Sequence, residues 1–183
     1  ILSVSYELIE NSIFITYRVL NPSEERIYFG IGGHPGFRLP LEEGLGFEDY
    51  YLEFEGVSFP ERVGHTESCF LSGEDEAFPL ENGKYLRLSH GMFDEDAIVL
   101  RNMSDKVTLK TDKGTRSVTV SYPFLPYLGL WHAPKTKAPY LCIEPWSSLP
   151  SRQGVVEELC YKSDLIRLGA GEEYKNTWSI QIS

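Results

Sequence analysis

The 183-residue chain lacks several features that mark large classes of proteins. It has no run of about 18 apolar residues, which excludes a membrane-spanning helix. Its net charge of −10 has the opposite sign to the clustered positive charge that binds nucleic acid phosphates. The composition therefore predicts a soluble globular protein that binds neither membranes nor nucleic acids.

Common catalytic motifs are missing as well. The sequence contains no GxSxG elbow, no GxxxxGK[ST] loop and no HExxH helix, so serine-hydrolase, P-loop and zinc-protease chemistry have no anchor. The three cysteines, Cys69, Cys142 and Cys160, form no CxxC pair or zinc-ligand spacing. We therefore expect no metal ion and no other cofactor. An odd, scattered set of cysteines indicates reduced thiols, as in the cytoplasm.

Alternation of apolar and polar residues is the main structural signal. In "IFITYRVL", Ile13, Ile15 and Tyr17 share one face of a predicted strand. The turn at residues 112–114, "DKG", predicts a hairpin between two more such segments. About a dozen strands exceed what one flat sheet usually holds. We therefore predict a single all-β domain over residues 1–183, folded as a large antiparallel β-sandwich.

His34 stands out in "GIGGHPGF" at residues 30–37, because the chain has only four histidines. Pro35 disfavours the helical conformation for the residue before it, and Gly32 and Gly33 permit a bulge or a close backbone approach. The imidazole is therefore expected on extended backbone at a strand end. From this stretch alone two interpretations stay open, a hydrogen-bonded structural histidine and a catalytic acid.

Glu144 has a similar context in "YLCIEPW" at residues 140–146, where an apolar strand ends and Pro145 follows. Beside Trp146, a carboxylate partly removed from water would be a stronger base. The alternative is a strand-end glutamate that faces water. A histidine and a glutamate presented in this way can form an acid–base pair on one small ligand, which makes His34 and Glu144 the candidate catalytic residues.

Aromatic residues near these two positions are candidate ligand contacts. Phe37, Trp131 and Trp146 flank the predicted strand ends. Aromatic faces suit the C–H faces of a sugar ring, although large aromatic residues lie most often in the core. His132, directly after Trp131, either lines the same pocket or is structural.

The motifs "IGGHPGFRLPL", "LGLWHAP" and "YLCIEPW" together resemble the aldose 1-epimerase, or galactose mutarotase-like, family, most closely its bacterial mutarotase-related branch. Further matching segments, among them "DAIVLRN" and the tail "LGAGEEY…WSIQI", follow in the expected order over nearly the whole chain. The G-G-H-P and C-I-E-P-W motifs in this order are specific. The resemblance implies the family's β-supersandwich, in agreement with the sandwich expected from the strand pattern.

The resemblance places the family's general acid on His34 and its catalytic base on Glu144. The family's sugar-binding aspartate falls within "FDEDAIVL", where Asp96 is favoured over Asp94 because it directly precedes the apolar strand. The family also has an N-terminal portion with an arginine and often a second histidine in the sugar site. Neither maps onto this chain, in which strand alternation has already begun at Val4. We therefore expect an N-terminally incomplete sandwich.

These assignments predict a cytoplasmic aldose 1-epimerase that interconverts the α and β anomers of a free hexose such as galactose or glucose. Three alternatives remain. They are a non-catalytic sugar-binding protein of the same fold, a hexose-6-phosphate 1-epimerase, and an accessory domain of a glycoside-processing enzyme. The second would need a basic phosphate pocket, for which Arg38 is a candidate. The third would need two carboxylates rather than a histidine and a glutamate. The sequence leaves a homodimer open.

Overall fold

A computed structural model describes residues 1–56 and 59–183, and their regular structure is almost entirely β. The described strands are β1 (Leu2–Ile9), β2 (Ser12–Leu20), β3 (Ile27–Phe29), β4 (Gly36–Arg38), β5 (Tyr51–Phe54), β6 (Glu61–Arg62), β7 (Glu76–Ala77), β8 (Tyr85–Arg87), β9 (Ile98–Arg101), β10 (Lys106–Lys110), β11 (Val118–Ser121), β12 (Tyr127–Trp131), β13 (Tyr140–Trp146), β14 (Ile166–Leu168) and β15 (Glu173–Ile182). Two 3₁₀ helices cover Phe47–Asp49 and His90–Phe93. Within the described part of the chain, no helix has the length and apolar character needed to cross a bilayer.

Most strands belong to two antiparallel sheets. The seven-stranded sheet has the order β1-β2-β15-β11-β10-β5-β8, and the six-stranded sheet has the order β4-β13-β12-β9-β6-β7. β14 and β3 form a separate pair. The hairpin predicted at residues 112–114 is confirmed, since β10 and β11 pair antiparallel on either side of it. This architecture confirms the predicted all-β sandwich.

The core lies between the two large sheets and follows the alternation of each strand. On β12 and β13 of the six-stranded sheet, Leu128, Leu130, Leu141 and Ile143 are fully buried in it. Because side chains alternate across a strand, the residues between them point to the outer face of this sheet. That outer face carries the candidate site.

β1 is exposed along its whole length, although every second residue is apolar. Val4 and Tyr6 pair with Tyr17 and Ile15 of β2, both of which are buried in the core. Opposite residues of a strand pair lie on the same face. The core face of the sheet therefore continues onto β1, where the described residues leave it uncovered.

Residues 31–36 run beside β13 and bring the first sequence motif against the second. The N–H of Gly33 donates to the carbonyl of Pro145 at 2.9 Å, and the N–H of Ile143 donates to the carbonyl of Pro35 at 3.1 Å. The N–H of Ser147 donates to the carbonyl of Ile31 at 2.9 Å. We call this set of hydrogen bonds the 31–36 seam.

Gly33 is required for close packing at this seam, whereas Gly36 is not. A Cβ on Gly33 would lie 2.5 Å from Cζ2 of the buried Trp178, but a Cβ on Gly36 would lie 3.5 Å from Sγ of Cys142, an ordinary contact. We expect Gly33→Ala to lower the free energy of unfolding by about 1–3 kcal/mol through overpacking. Gly36→Ala, its matched control, should change it by less than about 1 kcal/mol. Urea titration of both variants measures the difference, and equal midpoints would contradict this account of Gly33.

Candidate active site

The 31–36 seam holds His34 against Glu144, 110 positions further along the chain. The Nε2 atom of His34 lies 3.3 Å from Oε1 of Glu144. Pro35 follows the histidine and Pro145 follows the glutamate, so the chain on both sides of the contact is restrained. The structure thus brings the two candidate catalytic residues together.

The two partners differ strongly in their exposure to water. The Glu144 side chain is 5% exposed, whereas that of His34 is 64% exposed. Burial raises the pKa of the Glu144 carboxyl above its usual value, and the positive charge of a protonated His34 and the side chain of Trp146 oppose that rise in pKa. Glu144 is therefore a desolvated carboxyl group beside an imidazole that solvent and ligands can reach.

Asp96 and Trp131 form a second pair next to this contact. The indole N–H of Trp131 donates to Oδ1 of Asp96 at 2.9 Å, and the Trp131 ring lies edge-on to the His34 imidazole with 6.1 Å between centroids. The φ of Asp96 is +88°, a strained conformation for a non-glycine residue. Asp94, the alternative aspartate, instead accepts a hydrogen bond from the backbone of Lys135 at 3.2 Å. The geometry therefore favours Asp96 as the aspartate of the site.

Trp146 lies beside Glu144 because the strand opposite has no side chain there. Gly129 of β12 pairs with Glu144, and a Cβ on Gly129 would lie 2.8 Å from Cζ2 of Trp146 and 3.3 Å from Cβ of Glu144. The missing side chain makes room for the indole across the face of the sheet. Trp131 and Trp146 thus bring two aromatic surfaces to the region around His34 and Glu144.

A cavity of about 980 Å³ begins at Asp96 and Trp146 and extends over the outer face of the six-stranded sheet. Its lining is rich in carboxylates: Glu67, Glu74, Glu76, Asp94, Glu95 and Asp96. The lysine and arginine side chains in the lining are Arg62 and Lys135. The space beside the site is large enough for a small ligand and is strongly acidic.

Two residues expected to contact a ligand lie instead on the core side. His132 is fully buried, and its Nε2 atom lies 3.2 Å from Nδ1 of His90. Phe37 pairs with Leu141 of β13 and packs against the core. Each of the two residues directly follows a residue of the outer face, so its own side chain points to the core side. The expected ligand contacts of His132 and Phe37 are therefore corrected. Trp131 and Trp146 do lie on the outer face.

The sequence reasoning missed Cys142, which belongs to this site. Cys142 precedes Glu144 by two residues on β13 and pairs with Trp131 of β12. Burial, together with the nearby Glu144, raises the pKa of its thiol to about 11. Alternation along "YLCIEPW" was the signal that places Cys142 on the same face as Glu144.

Comparison with known proteins places this site in a family. The sequence model of the aldose 1-epimerase family matches residues 1–181. The chromosomal protein LacX of Lactococcus lactis subsp. lactis is 39% identical over 153 residues, which are 81% of this chain and 50% of LacX. The chain thus spans about half the length of the curated relative.

Solved structures agree with this assignment. A galactose mutarotase related enzyme from Lactobacillus acidophilus superposes with a TM-score of 0.89 at 29% identity, over 100% of this chain and 61% of that one. A galactose mutarotase-like protein from Lactobacillus casei gives a TM-score of 0.89 at 28% identity, over 100% of this chain and 63% of that one. The chain belongs to the aldose 1-epimerase family.

Proposed function

We propose that the protein is an aldose 1-epimerase that interconverts the α and β anomers of a free hexose. The observation that carries this proposal is the 3.3 Å contact between Nε2 of His34 and Oε1 of Glu144, one group exposed and the other buried. Anomer exchange needs one group that removes a proton and another that supplies one. A carboxylate and an imidazole side by side meet that need without a redox step.

Glu144 acts as the base in this mechanism and His34 as the acid. The carboxylate takes the proton of the C1 hydroxyl while the protonated imidazole gives a proton to the ring oxygen, and the C1–O bond of the ring breaks. Rotation about C1–C2 then presents the other face of the aldehyde, and closure with reversed roles forms the other anomer. Both oxygens are bonded to C1, so two side chains in contact can reach them together. Desolvation of Glu144 strengthens it as a base toward a hydroxyl group.

The residues around the pair suit a sugar ring. The indoles of Trp131 and Trp146 offer apolar faces for its C–H groups. Oδ1 of Asp96 accepts the Trp131 N–H, while Oδ2 lies 3.6 Å from the Cys69 sulfur, a weak donor. Asp96 therefore keeps acceptor capacity for a sugar hydroxyl.

The charge around the site favours a neutral sugar over a sugar phosphate. The acidic lining of the cavity beside Asp96 and Trp146 would repel a phosphate dianion. One observation favours the phosphate alternative: Arg38 of β4 lies on the same face as Gly36, toward the outer side of the sheet. Arg38 and the two cationic residues of the cavity lining, Arg62 and Lys135, are outnumbered by six carboxylates, which makes a free hexose, such as galactose or glucose, the better proposal.

Removing either proton-transfer group should slow mutarotation. Glu144→Gln and His34→Asn keep the shape and part of the hydrogen bonding, so each should reduce kcat by about 10²–10⁴-fold. Combined losses should be less than additive, because the two groups act in one transfer. Polarimetry of freshly dissolved α-galactose and α-glucose, with spontaneous mutarotation subtracted, measures the rates.

Glu158→Gln is the matched control, because Glu158 is an exposed glutamate in the segment between β13 and β14. It should leave the rate unchanged. If wild-type protein binds galactose yet gives no rate above background, the protein is a sugar-binding member of the family instead. If galactose 6-phosphate is turned over faster than galactose and Arg38→Gln abolishes the preference, the phosphate alternative is correct.

We also propose that the 183-residue chain by itself forms a homodimer through β1, whose apolar row the described residues leave uncovered. An antiparallel β1–β1 contact centred on Ser5 would continue the seven-stranded sheet and join two exposed apolar rows. In that register Glu7, the strand's one charged side chain, would oppose Ser3 of the other copy, so no like charges would meet. β1 also has no lysine or proline, the residues that commonly block pairing at sheet edges.

A lysine in the apolar row should separate the proposed dimer. Tyr6→Lys should shift the protein from dimer to monomer in sedimentation velocity, whereas Tyr161→Lys should not. The two tyrosines are equally exposed, at 73% and 74%, but Tyr161 lies in a loop outside β1. A wild-type monomer at high protein concentration would refute the dimer.

The cytoplasmic location stays a prediction.

A further inference from the structure

The acid–base pair has a third potential metal ligand beside it. Cys142 and Glu144 alternate on one face of β13, and Gly36, two residues after His34, pairs with Cys142. One ligand atom from each of His34, Cys142 and Glu144 lies within 4.8 Å of the other two. The arrangement is not visible as a motif, because the ligands come from two segments more than 100 residues apart.

The three groups match the ligand chemistry of zinc. Zn²⁺ takes imidazole nitrogen, thiolate sulfur and carboxylate oxygen in tetrahedral sites, with bonds of about 2.0–2.3 Å. Two nitrogen or oxygen ligands on such an ion are roughly 3.4 Å apart, by the tetrahedral angle and those bond lengths. The His34–Glu144 contact of 3.3 Å already has this spacing. The largest of the three separations is at most 4.8 Å, and on binding it would shorten to about 3.5 Å, the spacing of a sulfur and a nitrogen or oxygen ligand on one tetrahedral ion.

The surroundings also favour a cation of this kind. Asp96 accepts the indole N–H of Trp131 at 2.9 Å, and Trp131 pairs with Cys142, so a second carboxylate stands near the three ligands. Cys142 and Glu144 are both buried, which strengthens electrostatic attraction to an ion between them. The sulfur ligand selects against Mg²⁺ and Ca²⁺, which prefer oxygen.

We propose that His34, Cys142 and Glu144 form a binding site for Zn²⁺, and that occupation of this site blocks the reaction. On binding, the thiol of Cys142 forms a Zn–S bond and releases its proton to solvent. Three protein ligands leave the fourth tetrahedral position open to water. The metal would hold both groups that the proposed function needs for proton transfer, so inhibition rests on that function, whereas the site itself does not.

Cobalt makes the sulfur ligand visible. Co²⁺ replaces Zn²⁺ in tetrahedral sites, and a thiolate ligand adds a charge-transfer band in the near ultraviolet. We expect this band when Co²⁺ is added to the wild-type chain, and its loss when Zn²⁺ is added in competition. Cys142→Ser should abolish the band and weaken Zn²⁺ binding more than tenfold, since even changes outside the ligand set cost about 10–100-fold.

The other two cysteines supply matched controls. Cys69→Ser and Cys160→Ser should keep the band, because neither thiol belongs to the three-ligand cluster found among the described residues. Absence of the band in wild-type protein, or its survival in Cys142→Ser with loss in either control, would refute the site and leave adventitious binding only.

Mutarotation assays with and without Zn²⁺ separate this proposal from the proposed function. Zn²⁺ should abolish the wild-type rate, and a chelator should restore it. A Co²⁺ band that depends on Cys142 in a protein without mutarotase activity would support the metal site while the proposed function fails. An active protein that shows no band and no inhibition by Zn²⁺ would support the function and overturn the metal site.

Discussion

The hydrogen bonds of the 31–36 seam are the constraint on which the candidate site depends. His34 and Glu144 are 110 positions apart, and the 3.3 Å contact between them exists because residues 31–36 align with β13. Backbone hydrogen bonds fix which residue of 31–36 lies opposite each residue of β13. A shift of this register by one residue would turn either His34 or Glu144 to the opposite face of the sheet. The packing of Gly33 on Trp178 further limits where the segment can lie. The contact between His34 and Glu144 is therefore positioned by backbone hydrogen bonds rather than by long flexible side chains.

His34 and Glu144 differ in how much of each side chain is exposed to water. A carboxyl at the centre of β13, between a second strand and an indole, loses most of its water, and this loss raises its pKa. The imidazole, on a segment at the edge of the same sheet, keeps contact with solvent. In the proposed mechanism, the buried carboxylate acts as the base and the imidazole, which ligands can reach from solvent, acts as the acid. Edge and centre positions in one sheet thus account for the difference between the two groups.

The sequence could predict the strands well because alternation is a direct consequence of strand geometry. The β10–β11 hairpin and the sandwich were predicted in this way, and the following prolines marked His34 and Glu144, two residues that the structure brings into contact. β4 was not predicted, because its three residues lie among glycine and proline and show no period. Phe37 and His132 were predicted to line a ligand pocket because they are close in sequence to the site motifs. Each directly follows a residue of the outer face, however, and its side chain points to the core side.

His132 lies on the core side of the sheet, beneath the candidate site, and is fully buried. His132 directly follows Trp131 and points into the core, where its Nδ1 lies 2.9 Å from the carbonyl oxygen of Ala133. A carbonyl only accepts, so this nitrogen carries a proton, and Nε2 on the other side of the ring lies 3.2 Å from Nδ1 of His90.

Burial, followed by the neighbouring His132, lowers the pKa of His90, which favours the neutral form of His90. His90 opens the 3₁₀ helix that ends at Phe93, and the carbonyl of Phe93 accepts the N–H of Asp96 at 3.0 Å. One partly buried hydrogen bond, between His90 and His132, thus links the strand that carries Trp131 to the turn that carries Asp96. This link explains how a strained aspartate stays aligned with its tryptophan at the edge of an open cavity.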